Sequence, residues 1–192
     1  MNSRAPESWR LYCYVGPAEI QARARLQPAG FAVTSLAELI GWLDRSGQQP
    51  GPGGLIGLTF VIDSHGTLRL ADRRSEHVAC AGGESVFAAG ELFLAREEVS
   101  PGPLWRVAEV SNLSTGYCPE PTCWPALAAT LEALGLPHPG HFTLSVLFRR
   151  CPNCGQRNVV REDWFVCADC GADLPAEWNF SGGPGNSGSG EG

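Results

Sequence analysis

Four of the eight cysteines fall into two Cys-x-x-Cys-Gly pairs, Cys151/Cys154 and Cys167/Cys170, with twelve residues between them. Thiolates two residues apart on a turn converge on one ion, and Gly155 and Gly171 permit the tight backbone such a turn needs. Four thiolates complete a tetrahedral Zn(II) site with no open position. The metal is therefore expected to be structural, one per chain, holding together a segment too small to fold on its own core. The alternative is a pair of disulfides or inert thiols. It is disfavoured by the paired spacing and by an N-terminus, "MNSRAPESWRLYCYVG", without the apolar stretch of an export signal. A cytoplasmic location is expected.

A second group of residues with chemical potential lies mid-chain, in "RRSEHVACAGGESVFAAGELFLA" and "VSNLSTGYCPEP". His77, Glu91 and Tyr117 have residue types that could line one pocket, with His77 as a general base and Glu91 orienting it. The turn at Gly82 and Gly83 is expected to present backbone N–H groups to an anion. The competing reading makes His77 a surface residue, Gly82–Gly83 a simple turn, Glu91 a solvated strand residue and Tyr117 a core aromatic. Cys118 is a candidate nucleophile, and Cys123 lies near a helix N-terminus, where the dipole favours a thiolate. Neither cysteine has a neighbouring histidine in sequence.

Two resemblances follow from these motifs. Residues 149–175, with two short strands about a turn at Glu162 and Asp163, resemble a zinc ribbon. Residues 57–136 carry His-x-x-x-Ala-Gly-Gly, Ala-Ala-Gly-Glu and Ser-Asn-x-Ser-x-x-Tyr-x-Pro. That pattern resembles a small module of plant proteins with calmodulin-binding IQ motifs and of bacterial effector-like and toxin-like proteins. The resemblance implies His77, Gly82, Gly83, Gly90, Glu91, Ser114, Tyr117 and Pro119 as matching positions. Ser-Thr-Gly-Tyr stands where the module has Ser-Gly-His-Tyr, so a second histidine is missing. The setting of Cys118, between strands and a helix with an early Trp, also resembles the place of the thiol in a ubiquitin-conjugating enzyme.

Composition narrows the chemistry further. All 14 basic residues are Arg, which removes Schiff-base chemistry and the lysine of a phosphate-binding P-loop, and points to a GC-rich bacterial genome. The net charge is −6, and the ribbon segment sets Arg149, Arg150, Arg157 and Arg161 against Glu162, Asp163, Asp169 and Asp173. Four thiolates on one Zn(II) would add two negative charges, so nucleic acid is disfavoured and a protein partner is expected. No apolar run is long enough to span a membrane.

The elements that must position these residues follow from periodicity. A helix is predicted at "SLAELIGWLDRS", with Ser35 and Glu38 as a capping box and Gly47 past its end, and another at "TCWPALAATLEALG" with Thr122 as N-cap. "EIQARARL" alternates, which favours a strand, although the same residues could form a short helix. Strands are predicted at "LIGLTFVI" and "TLRLA" as a hairpin, then at "SVFAAGELFLA", "LWRVAEVSN" and "FTLSVLF". The fold class is therefore α+β, an antiparallel sheet covered by about two helices with a small C-terminal zinc ribbon. Residues 1–10 are expected to be flexible, 11–148 to form the main domain, 149–175 the ribbon, and 176–192 a flexible Gly/Ser-rich tail. Trp164 and Phe165 at the hairpin read either as a contact patch or as residues packed on the main domain, and packing is favoured because a ribbon has little core of its own. The reading that results is a bacterial accessory or regulatory protein acting through protein contacts, in a conflict or defence gene system. Its rival is an enzyme with a small-molecule or nucleotide pocket around His77, Glu91 and Tyr117, or a thiol enzyme using Cys118.

Overall fold

In the computed structural model, which describes residues 9–98 and 102–180, the main domain is a five-stranded antiparallel sheet. Its strands are β1 (Phe31–Val33), β2 (Ile56–Asp63), β3 (Leu68–Asp72), β4 (Val86–Glu97) and β5 (Leu104–Val110), in the order β1-β3-β2-β4-β5. The fold class is thus the α+β arrangement read from the sequence. The β2–β3 hairpin closes as its sequence predicts. Asp63 Oδ1 accepts from the N–H groups of His65 (2.9 Å) and Thr67 (3.0 Å), and Gly66 takes the left-handed conformation. Leu58, Phe60, Ile62, Leu68, Leu70, Leu92 and Leu94 are buried along β2, β3 and β4 and form the centre of the core.

Among the described residues four helices accompany the sheet: α1 (Ala18–Arg25), α2 (Leu36–Ser46), α3 (His77–Cys80) and α4 (Trp124–Ala133). At α2, Ser35 Oγ accepts from the Glu38 N–H at 3.2 Å, Leu39 and Leu43 are buried, and Gly47 ends the helix at φ 67°. The start of α4 differs from expectation. A short 3₁₀ turn, Pro121–Cys123, precedes it, Cys123 occupies the N-cap position, and no side chain caps the helix.

Residues 18–25 are helical, not extended. Ile20 and Ala24, four apart, face inward, while Ala22 and Leu26 are exposed, so the apparent alternation was two residues of a helical stripe beside two solvated ones. Glu19 in the first turn and Arg23 and Arg25 in the last complement the helix dipole.

The segment "FTLSVLF" also departs from a single main-domain strand. Thr143 Oγ1 accepts from the Val110 N–H (2.8 Å) and donates to the Val110 carbonyl (3.0 Å), which blunts the edge of β5. The strand proper is β6 (Leu147–Arg150), and it pairs with β7 (Arg157–Val160) in a separate two-stranded sheet. Residues 176–180, expected in a flexible tail, are anchored instead. Phe180 is buried, and Trp178 packs edge-on against Tyr12 with ring centroids 5.5 Å apart.

Candidate metal centre

The Sγ atoms of Cys151, Cys154, Cys167 and Cys170 all lie within 4.8 Å of one another, and all eight cysteines are free thiols. Two of the separations, Cys151–Cys170 and Cys154–Cys167, are 3.6 Å. A tetrahedron with metal–sulfur bonds of about 2.3 Å has edges of roughly 3.8 Å, so the cluster has the size of a four-thiolate metal site and not of disulfides.

The two halves of the site repeat each other bond for bond. The Cys151 N–H donates to the Gln156 carbonyl (2.8 Å) and the Gly155 N–H to the Cys151 carbonyl (2.9 Å). Sixteen residues on, Cys167 donates to Ala172 (2.8 Å) and Gly171 to Cys167 (3.0 Å). Gly155 and Gly171 sit at φ 76° and 72°, a conformation that would strain any residue with a Cβ. Two amide side chains add donors to the sulfurs, Asn153 Nδ2 to Cys170 (3.5 Å) and Asn158 Nδ2 to Cys167 (3.6 Å). Asn158 is buried, and its Oδ1 is fixed by the Ala168 N–H at 3.0 Å. Such donors offset the charge of clustered thiolates.

The core beneath the site is small: Cys151, Val160, Cys167 and Leu174, with Leu147, Phe165 and Ala172 against them. Beyond it, Glu162 and Asp163 both take left-handed backbone angles (φ 50° and 56°), and the Trp164 N–H donates to the Arg161 carbonyl at 2.9 Å. This closes the expected turn in the mirror-image form that suits a twisted hairpin. Trp164 does not pack on the main domain. It is 70% exposed at the turn, while Phe165 packs into the ribbon's own core.

The cysteine segment meets the main domain through polar and apolar contacts, with Val159 and Phe148 in one apolar cluster with Val15, Leu113 and Cys118. The buried Arg149 guanidinium donates to the carbonyls of Phe148 (2.7 Å), Pro175 (3.0 Å) and Ala176 (2.6 Å) and lies 3.7 Å from Glu120 of the main domain. Arg157 donates to the Thr115 carbonyl at 2.6 Å. Asn112 and Trp178 were not singled out in the sequence, and Arg149 was read there only as part of the segment's charge balance. The aromatic pair in "EWNF" just before the Gly/Ser-rich tail was the available signal that this stretch is anchored.

The mid-chain residues are distributed otherwise than a shared pocket requires. His77 opens α3, and its Nε2 lies 3.0 Å from the Gly90 carbonyl. Since a carbonyl only accepts, Nε2 carries the proton. Burial pushes the His77 pKa down. Glu91, the next residue along β4, pairs with Arg73 at 3.3 Å, and Arg73 lies over the Phe93 ring. Tyr117 is fully buried. Its hydroxyl donates to the Glu84 carbonyl at 2.5 Å, and burial raises its pKa strongly. An open groove of about 840 Å³ is lined by Asp72, Arg73, Arg74, Glu91, Phe93 and Glu109, among others, so Glu91 is the member of the trio on its wall.

The Gly82–Gly83 turn does not present its N–H groups to an anion. They donate to Ala79 (3.0 Å) and Val78 (2.8 Å) and end α3, and the Gly83 carbonyl accepts from Gln21. Cys118 is fully buried, which pushes its thiol up to about 12, and Cys123, buried beside α4, is likewise pushed up to about 12. Neither holds a thiolate at neutral pH.

Comparison with protein-family models, curated proteins and solved structures finds no match to this chain, so the resemblance of residues 57–136 to the plant and bacterial module gains no support. Among the described residues no helix is long and apolar enough to cross a membrane.

Proposed function

We propose that Cys151, Cys154, Cys167 and Cys170 hold one structural Zn(II), and that the protein is a cytoplasmic accessory or regulatory protein whose ribbon engages a protein partner. Zinc suits four thiolates in a closed tetrahedron, and a site with no open position has no means of activating water. The observation that carries the reading is Trp164, 70% exposed at the tip of a hairpin whose base is pinned by the metal ligands. A large aromatic on a rigid support loses little entropy on binding and is a common anchor of protein interfaces.

Charge favours protein over nucleic acid, because Glu162 and Asp163 adjoin Trp164 and the chain as a whole carries −6. The enzyme readings have less support. The hydroxyl of Tyr117 and the Nε2 of His77 are bound to backbone carbonyls, and Cys118 is a protonated, buried thiol. The test is capture of partners from the source cells by zinc-loaded wild type and by Trp164→Ala. The expected result is that partner recovery falls at least about tenfold in the variant. Undiminished recovery of the same partners by Trp164→Ala would contradict the reading.

A further inference from the structure

Residues Pro175–Phe180 form a strap packed over Cys118, held on the ribbon side by Arg149 and Arg150 and on the main-domain side by Trp178, which packs on Tyr12. Cys118 forms a small apolar cluster with Phe148 and Phe180, ringed by Val15, Leu113, Val146, Val159 and Trp178. The indole Nε1 of Trp178 donates to the Cys118 carbonyl at 2.8 Å. The residue itself sits at φ 48°, a left-handed conformation that a cysteine adopts only when its surroundings hold it there.

What holds the strap down is next to the metal ligands. Leu174, immediately before it, packs with Cys151 and Cys167 in the ribbon core, and its N–H donates to the Phe165 carbonyl at 2.8 Å. Arg149 holds the carbonyls of Pro175 and Ala176. Asn179 brackets Arg150, accepting from its N–H (2.8 Å) and donating to its carbonyl (2.7 Å), one residue before Cys151. The ribbon core has four buried residues, two of them the cysteines themselves, so without a metal it cannot order the backbone that makes these bonds.

We infer that metal in the ribbon keeps the strap seated over Cys118, and that loss of the metal lifts the strap and opens Cys118 to solvent while the sheet of the main domain stays folded. The inference rests on the reading of the four cysteines as a metal site. In the seated state the thiol is inert, with its pKa pushed up to about 12 by burial. Once uncovered it returns towards the ordinary thiol range and becomes open to electrophiles. The chain thus contains a thiol whose accessibility reports on ribbon occupancy. Cys80 and Cys123 are buried in the main-domain core, outside the cluster that encloses Cys118.

Peptide-resolved labelling with N-ethylmaleimide tests this on the full chain, before and after removal of zinc by a chelator, with metal content measured on the same samples. Cys13 is exposed and serves as the fast reference, Cys80 and Cys123 as the slow ones. With metal, Cys118 should react at least about 100-fold more slowly than Cys13, and after removal within about tenfold of it, with Cys80 and Cys123 still slow. If Cys118 stays as slow as Cys80 in the metal-free chain, the strap is not governed by the metal. If Cys80 and Cys123 rise with it, the whole protein has unfolded and there is no separate device. A preparation that carries no metal as isolated and still protects Cys118 overturns the metal site and this inference together.

Discussion

The side chain of Asn112 pairs with the backbone of Val146 as a neighbouring strand would, accepting from its N–H and donating to its carbonyl, each at 2.8 Å. The same Nδ2 donates to the Pro119 carbonyl at 2.9 Å, and the residue is fully buried. One amide therefore closes the ladder where "FTLSVLF" leaves the edge of β5 and becomes the first strand of the ribbon. It ties the end of the sheet, the loop carrying Cys118 and the ribbon entry into one unit.

Asn112→Ala should consequently cost about 3 kcal/mol, because it leaves buried backbone groups of Val146 and Pro119 without partners. Urea denaturation measures this. A loss under about 1 kcal/mol would mean that water replaces the amide.

Gly90 is a second position where the structure leaves no room for a larger residue. A Cβ there would lie 1.9 Å from the Ser111 carbonyl oxygen and 3.1 Å from Asn112 Cα, both backbone. Gly90→Ala should cost about 3 kcal/mol or more by forcing β4 and the end of β5 apart. Gly102→Ala, with open space around it, should change stability by less than about 0.5 kcal/mol. Equal effects of the two, read by thermal denaturation, would refute the steric account.

His77 sets a pH dependence. Burial lowers its folded pKa below the unfolded value of about 6.5, so on acidification the unfolded chain takes up the proton first. Its contribution is absent at high pH and becomes destabilising as pH falls through about 6.5 towards the folded pKa. His77→Gln keeps an N–H donor for the Gly90 carbonyl but does not titrate. Its stability should fall less than that of wild type between about pH 7 and pH 5, since carboxylates act alike in both. Parallel curves would show that His77 is solvated.

The elements legible in the sequence were those with local signals. Ser35 with Glu38 and then Gly47 marks both ends of α2, the turn at Asp63 and Gly66 marks the hairpin, and Cys-x-x-Cys-Gly writes the four-cysteine cluster in a few consecutive residues. Ile20 and Ala24 misled because alternation over eight residues is compatible with both periods, and only the packing of α1 against its neighbours selects one. The Ala-Ala-Gly-Glu and Ser-x-x-Tyr motifs look chemical in sequence. In space Gly90 makes room for Ser111, and Tyr117 holds Glu84. Non-local contacts such as Asn112 with Val146 or Trp178 with Cys118 have no signature in sequence spacing. They are decided by where the ribbon docks.

Duplex DNA should bind no more tightly than about 10⁻⁴ M at physiological salt, given a net charge of −6 spread over the chain. Fluorescence anisotropy with a labelled duplex checks this. Sub-micromolar binding that weakens steeply with salt would make the ribbon a nucleic-acid reader.

The central claim is tested most directly by zinc K-edge X-ray absorption on the purified full chain, with elemental analysis giving the stoichiometry. The account predicts one zinc per chain, bound by four sulfurs at about 2.3 Å with no nitrogen or oxygen ligand. A chain folded through residues 151–174 without zinc, or a zinc carrying light-atom ligands in place of any of the four cysteines, would contradict it.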